Sequence, residues 1–241
     1  VPICLLVRHG HSSANADGIL AGRLPGIHLD ATGQEQVQAL AARFAGLDVA
    51  HVVSSPLERC LETAVVLAAA VAVPREVATD LGLWECGYGA WTGRALKELV
   101  DEPLWRTVQD QPSAARFPDH SEHAAESLLA MGHRAVDTVR RIDAEVESEH
   151  GPHALWVAVT HGDVIKAVLA DAAGSHVDHF QRFRADPASV SVVHYTPRRP
   201  FLVTANDTGS DLARFVPPPS TEVPEGDAAI GGGAATAGDR R

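Results

Sequence analysis

The chain has 241 residues, with 20 basic against 31 acidic side chains and a formal net charge of −11. That length makes one large domain or two small ones, and an apolar share of 45% is enough to bury a real core. The acidic balance argues against nucleic acid or an anionic membrane surface as the main partner, yet leaves room for a small anionic substrate, because a few converging arginines outweigh distant negative charge.

Residues 3–7 form a continuous, partly β-branched apolar run, which predicts a buried strand of a parallel sheet ending in Arg8-His9-Gly10. Residues 10–25 are rich in Gly, Ser, Asn and Asp and read as loop or short irregular helix. A helix then starts with Thr32 as its cap and Glu35 three positions on, presenting Val37, Leu40, Ala41 and Phe44 on one face. Residues 49–54 predict a second strand. Pro56 suits the first turn of a helix over 57–72, which Pro74 ends. A third strand is expected over 76–83, a Gly- and aromatic-rich loop over 84–93, and a helical stretch over 94–116 interrupted at Pro103 and Pro112. The longest helical pattern covers 122–149, with Leu128, Leu129, Met131, Ala135, Val139, Ile142 and Val146 spaced for one buried face. Residues 154–159 predict the strand that delivers Thr160-His161-Gly162, with a helix over 163–172 after it. Late, antiparallel strands are expected over 189–195 and 201–204.

This alternation predicts an α/β fold, a three-layer αβα sandwich with a mainly parallel central sheet. One domain is expected over 1–216. Residues 217–241, with Pro217-Pro218-Pro219 and Gly231-Gly232-Gly233, read as a disordered tail. Cys4, Cys60 and Cys86 are odd in number, show no CxxC spacing and suit buried free thiols in a reducing compartment. The apolar start, residues 1–7, is too short for a secretion signal, and no run approaches the roughly 18 apolar residues of a membrane span. A cytoplasmic location is therefore expected.

Ligands of open α/β sheets bind at the C-terminal strand edge. Two histidines brought there from opposite ends of the sequence, with an arginine beside the first, point to phosphoryl chemistry. A neutral imidazole nitrogen can attack phosphorus, and His9 at a strand end is the candidate nucleophile. The charge on the transferring group needs preorganised donors, which the planar forks of Arg8 and Arg59 supply. His161 can donate another hydrogen bond and, if cationic, would also stabilise charge. The leaving alkoxide needs a proton, and Glu85 keeps the company of Trp84, Tyr88 and Trp91 that raises a carboxyl pKa.

Taken in order, Arg8-His9-Gly10, Ser54-Ser55-Pro56-Leu57-Glu58-Arg59-Cys60, the loop over 83–93 and Thr160-His161-Gly162 resemble the histidine phosphatase superfamily, which includes cofactor-dependent phosphoglycerate mutases and many small phosphatases. The similarity covers residues 3–204, with motif matches at four places. It implies a phosphoglycerate mutase-like fold and the same catalytic set of His9, Arg8, Arg59, Glu85 and His161. It further implies substrate contacts from Asn15, Gly22 and Arg23 in the loop after His9, and from Gly162. Two departures stand out. His11 occupies a position where many members carry an acidic or amide residue. Residues 118–127 replace a Gly-Gly-Glu-Ser-like turn, of which Glu126-Ser127 keeps the last two positions. Asp119, His120, Glu122 and His123 there read as surface polar residues rather than metal ligands, and the chemistry needs neither metal nor other cofactor. Trp105 and Arg106 belong either to a cap beside the site or to helical packing. The expected function is hydrolysis of a small phosphorylated metabolite through a phosphohistidine on His9. A phosphomutase with the same intermediate is the alternative, and a non-catalytic phosphate-binding module the third reading. The compact loop over 85–93 and the lack of long insertions favour the hydrolase.

Overall fold

Seven α-helices and six strands order the described residues in the computed structural model, which describes residues 1–209. The tail expected over 217–241 lies outside the described residues. In chain order the strands are β1 (Ile3–Arg8), β2 (His51–Ser54), β3 (Val77–Thr79), β4 (Leu155–Thr160), β5 (Val190–Tyr195) and β6 (Pro200–Asp207). The helices are α1 (Ser13–Ala16), α2 (Ala31–Phe44), α3 (Glu58–Ala70), α4 (Leu96–Leu99), α5 (Pro103–Asp110), α6 (Leu128–His150) and α7 (Gly162–Ala172).

The six strands form one sheet in the order β3-β2-β4-β1-β5-β6. β3, β2, β4 and β1 run parallel, while β5 and β6 add an antiparallel edge. Successive side chains of a strand point to opposite faces, and the two central strands use both. Cys4 and Leu6 of β1 and Trp156 and Ala158 of β4 join the core beneath α6 and α7. Leu5, Val7, Val157 and Val159 join a second core with Leu40 and Phe44 of α2 and Ala64 and Leu67 of α3. That explains why both strands read as unbroken apolar runs. All three cysteines are buried free thiols. Among the described residues no helix is long and apolar enough to cross a membrane.

The element ends differ from expectation where local geometry decides them. Asp30, not Thr32, caps α2, its carboxylate accepting from the Gly33 amide at 2.8 Å. The bridge between Ser12 and Leu29 and the bond from the Asp30 amide to the His11 carbonyl hold the chain extended up to that residue. Pro56 lies before the Leu57 cap of α3 rather than in its first turn. α6 begins at Leu128 behind the Ser127 cap, because residues 116–127 instead bridge to each other and to Tyr88. Leu129 faces out of α6 and is 37% exposed.

Candidate active site

Parallel pairing of β1 with β4 sets Arg8 opposite Thr160. The next residue of each strand, His9 and His161, therefore leaves the sheet at the same edge, and the His9 amide donates to the Thr160 carbonyl at 3.1 Å. The two rings meet edge to face, centroids 5.3 Å apart. β2 lies on the other side of β4, so Ser55 and the first turn of α3 arrive at the same place. The glycine after His9 serves a close approach. A Cβ on Gly10 would stand 2.7 Å from the Gly33 carbonyl oxygen and 2.8 Å from Val37.

Arg59 joins the two histidines. Its Nε donates to His9 Nε2 at 3.3 Å, and its Nη2 to the Gly22 carbonyl at 2.9 Å and to His161 Nδ1 at 3.2 Å. His9 Nδ1–H donates to the Gly10 carbonyl at 2.7 Å, which puts the accepting lone pair on Nε2. His161 accepts at Nδ1, so its Nε2–H donates to Ser55 Oγ at 2.8 Å. Burial first, then the charges of Arg59 and Arg8, hold the His9 pKa well below its ordinary value. Burial and Arg59 do the same to His161. Both shifts disfavour the charged ring, against the cationic His161 that the sequence allowed. Arg8 Nη1 donates to the Ala185 carbonyl at 2.7 Å. Arg8 Nε and Nη2 and Arg59 Nη1 are buried with no partner among the described residues. Buried donors of this kind are costly unless an acceptor meets them, and here they belong to the two arginines whose charges act on His9.

Glu85 is 3% exposed, and one carboxylate oxygen accepts from the Cys86 amide at 2.9 Å. Burial and, next, the carboxylate of Asp163 push its pKa up to about 7, against the Cys86 amide, Arg59 and Arg8. Asp163, in the first turn of α7, accepts from the Tyr88 hydroxyl at 2.8 Å and pairs with buried Lys166 at 3.5 Å. Neither Asp163 nor Ser55 was singled out from sequence. Their signal was adjacency, one following His161-Gly162 and the other the β2 terminus.

The remaining expected contacts are mostly engaged. The Asn15 carboxamide oxygen accepts from the Ser12 amide and hydroxyl at 3.1 and 2.9 Å, closing the capping box of α1. Gly22 has φ of +51° and offers its carbonyl to Arg59. Arg23 stacks 5.0 Å over Trp84 and donates to the Glu85 carbonyl at 2.8 Å and to Glu126 at 2.7 Å. Gly162 is the first residue of α7, in the turn whose amides lack helical acceptors. His11 bonds Asp30 at 2.5 Å, and its amide donates to Gln36 at 2.9 Å. Trp105 packs on the core against Trp91, while Arg106 is exposed beside Asp110. His120 and His123 stack on each other 4.6 Å apart, and among the described residues no three ligating side chains converge as a metal site would require.

The chain belongs to the histidine phosphatase superfamily (branch 1), whose sequence pattern matches residues 4–208. As an enzyme it is of the phosphomonoesterase type. A 2,3-bisphosphoglycerate-dependent phosphoglycerate mutase of Thermoplasma acidophilum is 34% identical over 168 residues, 70% of this chain and 74% of the relative. Phosphoserine phosphatase 1 of Hydrogenobacter thermophilus is 28% identical over 206 residues, 85% of this chain and 92% of that one. A crystal structure of an Entamoeba histolytica phosphoserine phosphatase in complex with phosphoserine shares the fold with a TM-score of 0.72 at 22% identity, covering 86% of this chain and 98% of its own.

Proposed function

We propose that the protein hydrolyses a small phosphomonoester through a covalent phosphohistidine on His9 Nε2, with Glu85 as the general acid. The observation that carries this is the state of His9. Its proton is held on Nδ1 by the Gly10 carbonyl, its Nε2 lone pair faces Arg59, and unpartnered guanidinium nitrogens of Arg8 and Arg59 lie buried beside it. Nε2 attacks phosphorus, the ester P–O bond breaks, and the leaving oxygen takes the Glu85 proton. The Arg8 and Arg59 forks follow the charge on the equatorial oxygens. His161, neutral and held by Ser55, keeps Arg59 in place and presents an uncharged edge to the phosphoryl group. Gly22 fixes Arg59 through its carbonyl. Asn15 and the Gly162 amide border the substrate. In the second half-reaction water attacks phosphorus, Glu85 takes its proton, and the P–N bond breaks to return the lone pair to His9.

The test is phosphate release from a panel of phosphorylated metabolites by wild type and His9→Ala, with the phosphoenzyme trapped from labelled substrate. Release by wild type and none by His9→Ala is expected. Equal release by both would remove His9 from the chemistry. A second reading, a phosphomutase, is favoured by the 34% identity to a phosphoglycerate mutase. Label retained on an isomeric product, with no free phosphate, would establish it instead.

A further inference from the structure

Glu85 sits in a loop, and a proton donor on a loop needs something rigid to aim it. One carboxylate and two guanidiniums from three separate segments grip that loop on both sides of Glu85. Arg134, on α6, donates through Nη1 to the carbonyls of Gly82 and Trp84 at 2.8 and 2.9 Å, and through Nη2 to that of Glu85 at 3.4 Å. Its Nε and Nη2 also hold the two oxygens of Glu126 at 3.0 and 2.9 Å, a bidentate fork. Glu126 accepts from the Gly87 amide at 3.0 Å and from Arg23 at 2.7 Å, while Arg23 Nε donates to the Glu85 carbonyl at 2.8 Å. The three side chains are only 20–23% exposed. Burial opposes the charge on Glu126, yet Arg134, the Gly87 amide and Arg23 hold its pKa below the ordinary value, so it is the anion that binds.

We propose that Arg23, Glu126 and Arg134 are positioning residues for Glu85, joined into a clamp that fixes the acid's backbone against α6. This rests on the reading of Glu85 as general acid. It moves Arg23 from substrate contact to support of the acid, and it gives the Glu126 of the unusual 118–127 segment a task. Proton transfer demands hydrogen-bond reach to the leaving oxygen, and a misplacement of about 1 Å costs on the order of 100-fold. A clamp on the acid has a signature that general structural support lacks. It matters for a leaving group that needs a proton and hardly matters for one that does not.

The experiment compares kcat/KM for β-glycerol phosphate, whose alkoxide must be protonated, with that for p-nitrophenyl phosphate, whose phenolate leaves unaided. Glu85→Gln, Glu126→Gln, Arg134→Lys and Arg23→Met are measured beside wild type, with thermal melts to confirm folding. Glu85→Gln is expected to lower the alkyl-to-aryl ratio by about 100-fold, in the range of general acid catalysis. Glu126→Gln and Arg134→Lys are expected to lower it by roughly 10-fold, a partial loss of the same effect. If Glu85→Gln depresses both esters equally, the acid reading itself fails. If Glu85→Gln is selective while the clamp variants lower both esters equally or neither, only the clamp is overturned. Should Glu126→Gln and Arg134→Lys fail to fold, Arg23→Met decides: a lowered ratio supports it and an unchanged ratio overturns it.

Discussion

Glu85 and the two histidines are buried groups whose titration is displaced in opposite directions. With the Glu85 pKa pushed up to about 7, turnover of an alkyl phosphomonoester should fall as pH rises past that value, because the acid is then ionised. Asp163 raises it, while Arg59, Arg8 and the Cys86 amide lower it. Asp163→Asn removes the raising charge, so the alkaline limb of the kcat–pH profile should move to lower pH, and a limb that stays put would show Asp163 to be irrelevant to it. Stability follows the same groups with its own signs. His9 and His161 are depressed below 6.5, so an unfolded chain gains protons there that the native one refuses, and stability present above 6.5 is lost on acidification. Glu85 works the other way. Raised above 4.5, it stabilises fully below that value and loses its contribution as pH rises through about 7. Urea midpoints at pH 7 and pH 5 should therefore drop further in Glu85→Gln than in wild type. An equal drop in both proteins would refute this accounting of protons. The raised Glu85 carboxyl was legible in the sequence from the aromatic company of its loop, but the tautomers of the two histidines were not. The residue types were, but which imidazole nitrogen carries the proton depends on a carbonyl and a guanidinium brought from elsewhere in the fold.

Elements explain why the residues meet. The apolar runs that became β1 and β4 were readable because a central strand buries both faces, and their Arg-His-Gly and Thr-His-Gly ends were readable as a shared edge once parallel pairing was assumed. The approach of α2 was not readable, since it depends on two glycines distant in sequence. Gly10 lets the Gly33 carbonyl come close, and Gly33 would itself clash with the His11 carbonyl if it carried a Cβ. Gly10→Ala should destabilise the protein by roughly 1–3 kcal/mol, as overpacking does, and shift the adjacent His9. Denaturant melts check the first, and loss of phosphoenzyme out of proportion to the melt checks the second. The clamp escaped detection for a related reason. Arg134 lies on a helix face with ordinary charge patterning, and only the folded return of α6 beside the 82–87 loop gives it its partners.

At the scale of the molecule, the layered α/β architecture and the histidine phosphatase membership were both legible, because order of elements and four separated motifs carry them. The exact entries into α2, α3 and α6 were not, since caps are decided by what the preceding loop pairs with. The sheet also makes a prediction about integrity. β4 lies between β2 and β1, so without it the first two strands have no common neighbour. A fragment ending at residue 150 should show no cooperative unfolding transition by circular dichroism, and a sharp transition there would mean that the first half folds alone.

The pairing of Ile3 with Leu155 has a consequence for how the chain is made. During synthesis at about 5–20 residues per second, the first strand leaves the ribosome on the order of ten seconds before the strand it must pair with. For that interval an apolar segment with both faces destined for burial has no partner, and His9 at its end has neither Arg59 nor His161 held beside it. The site is therefore assembled all at once, late in translation, and a nascent chain stalled before β4 is expected to release no phosphate from phosphate esters and to expose β1's apolar faces.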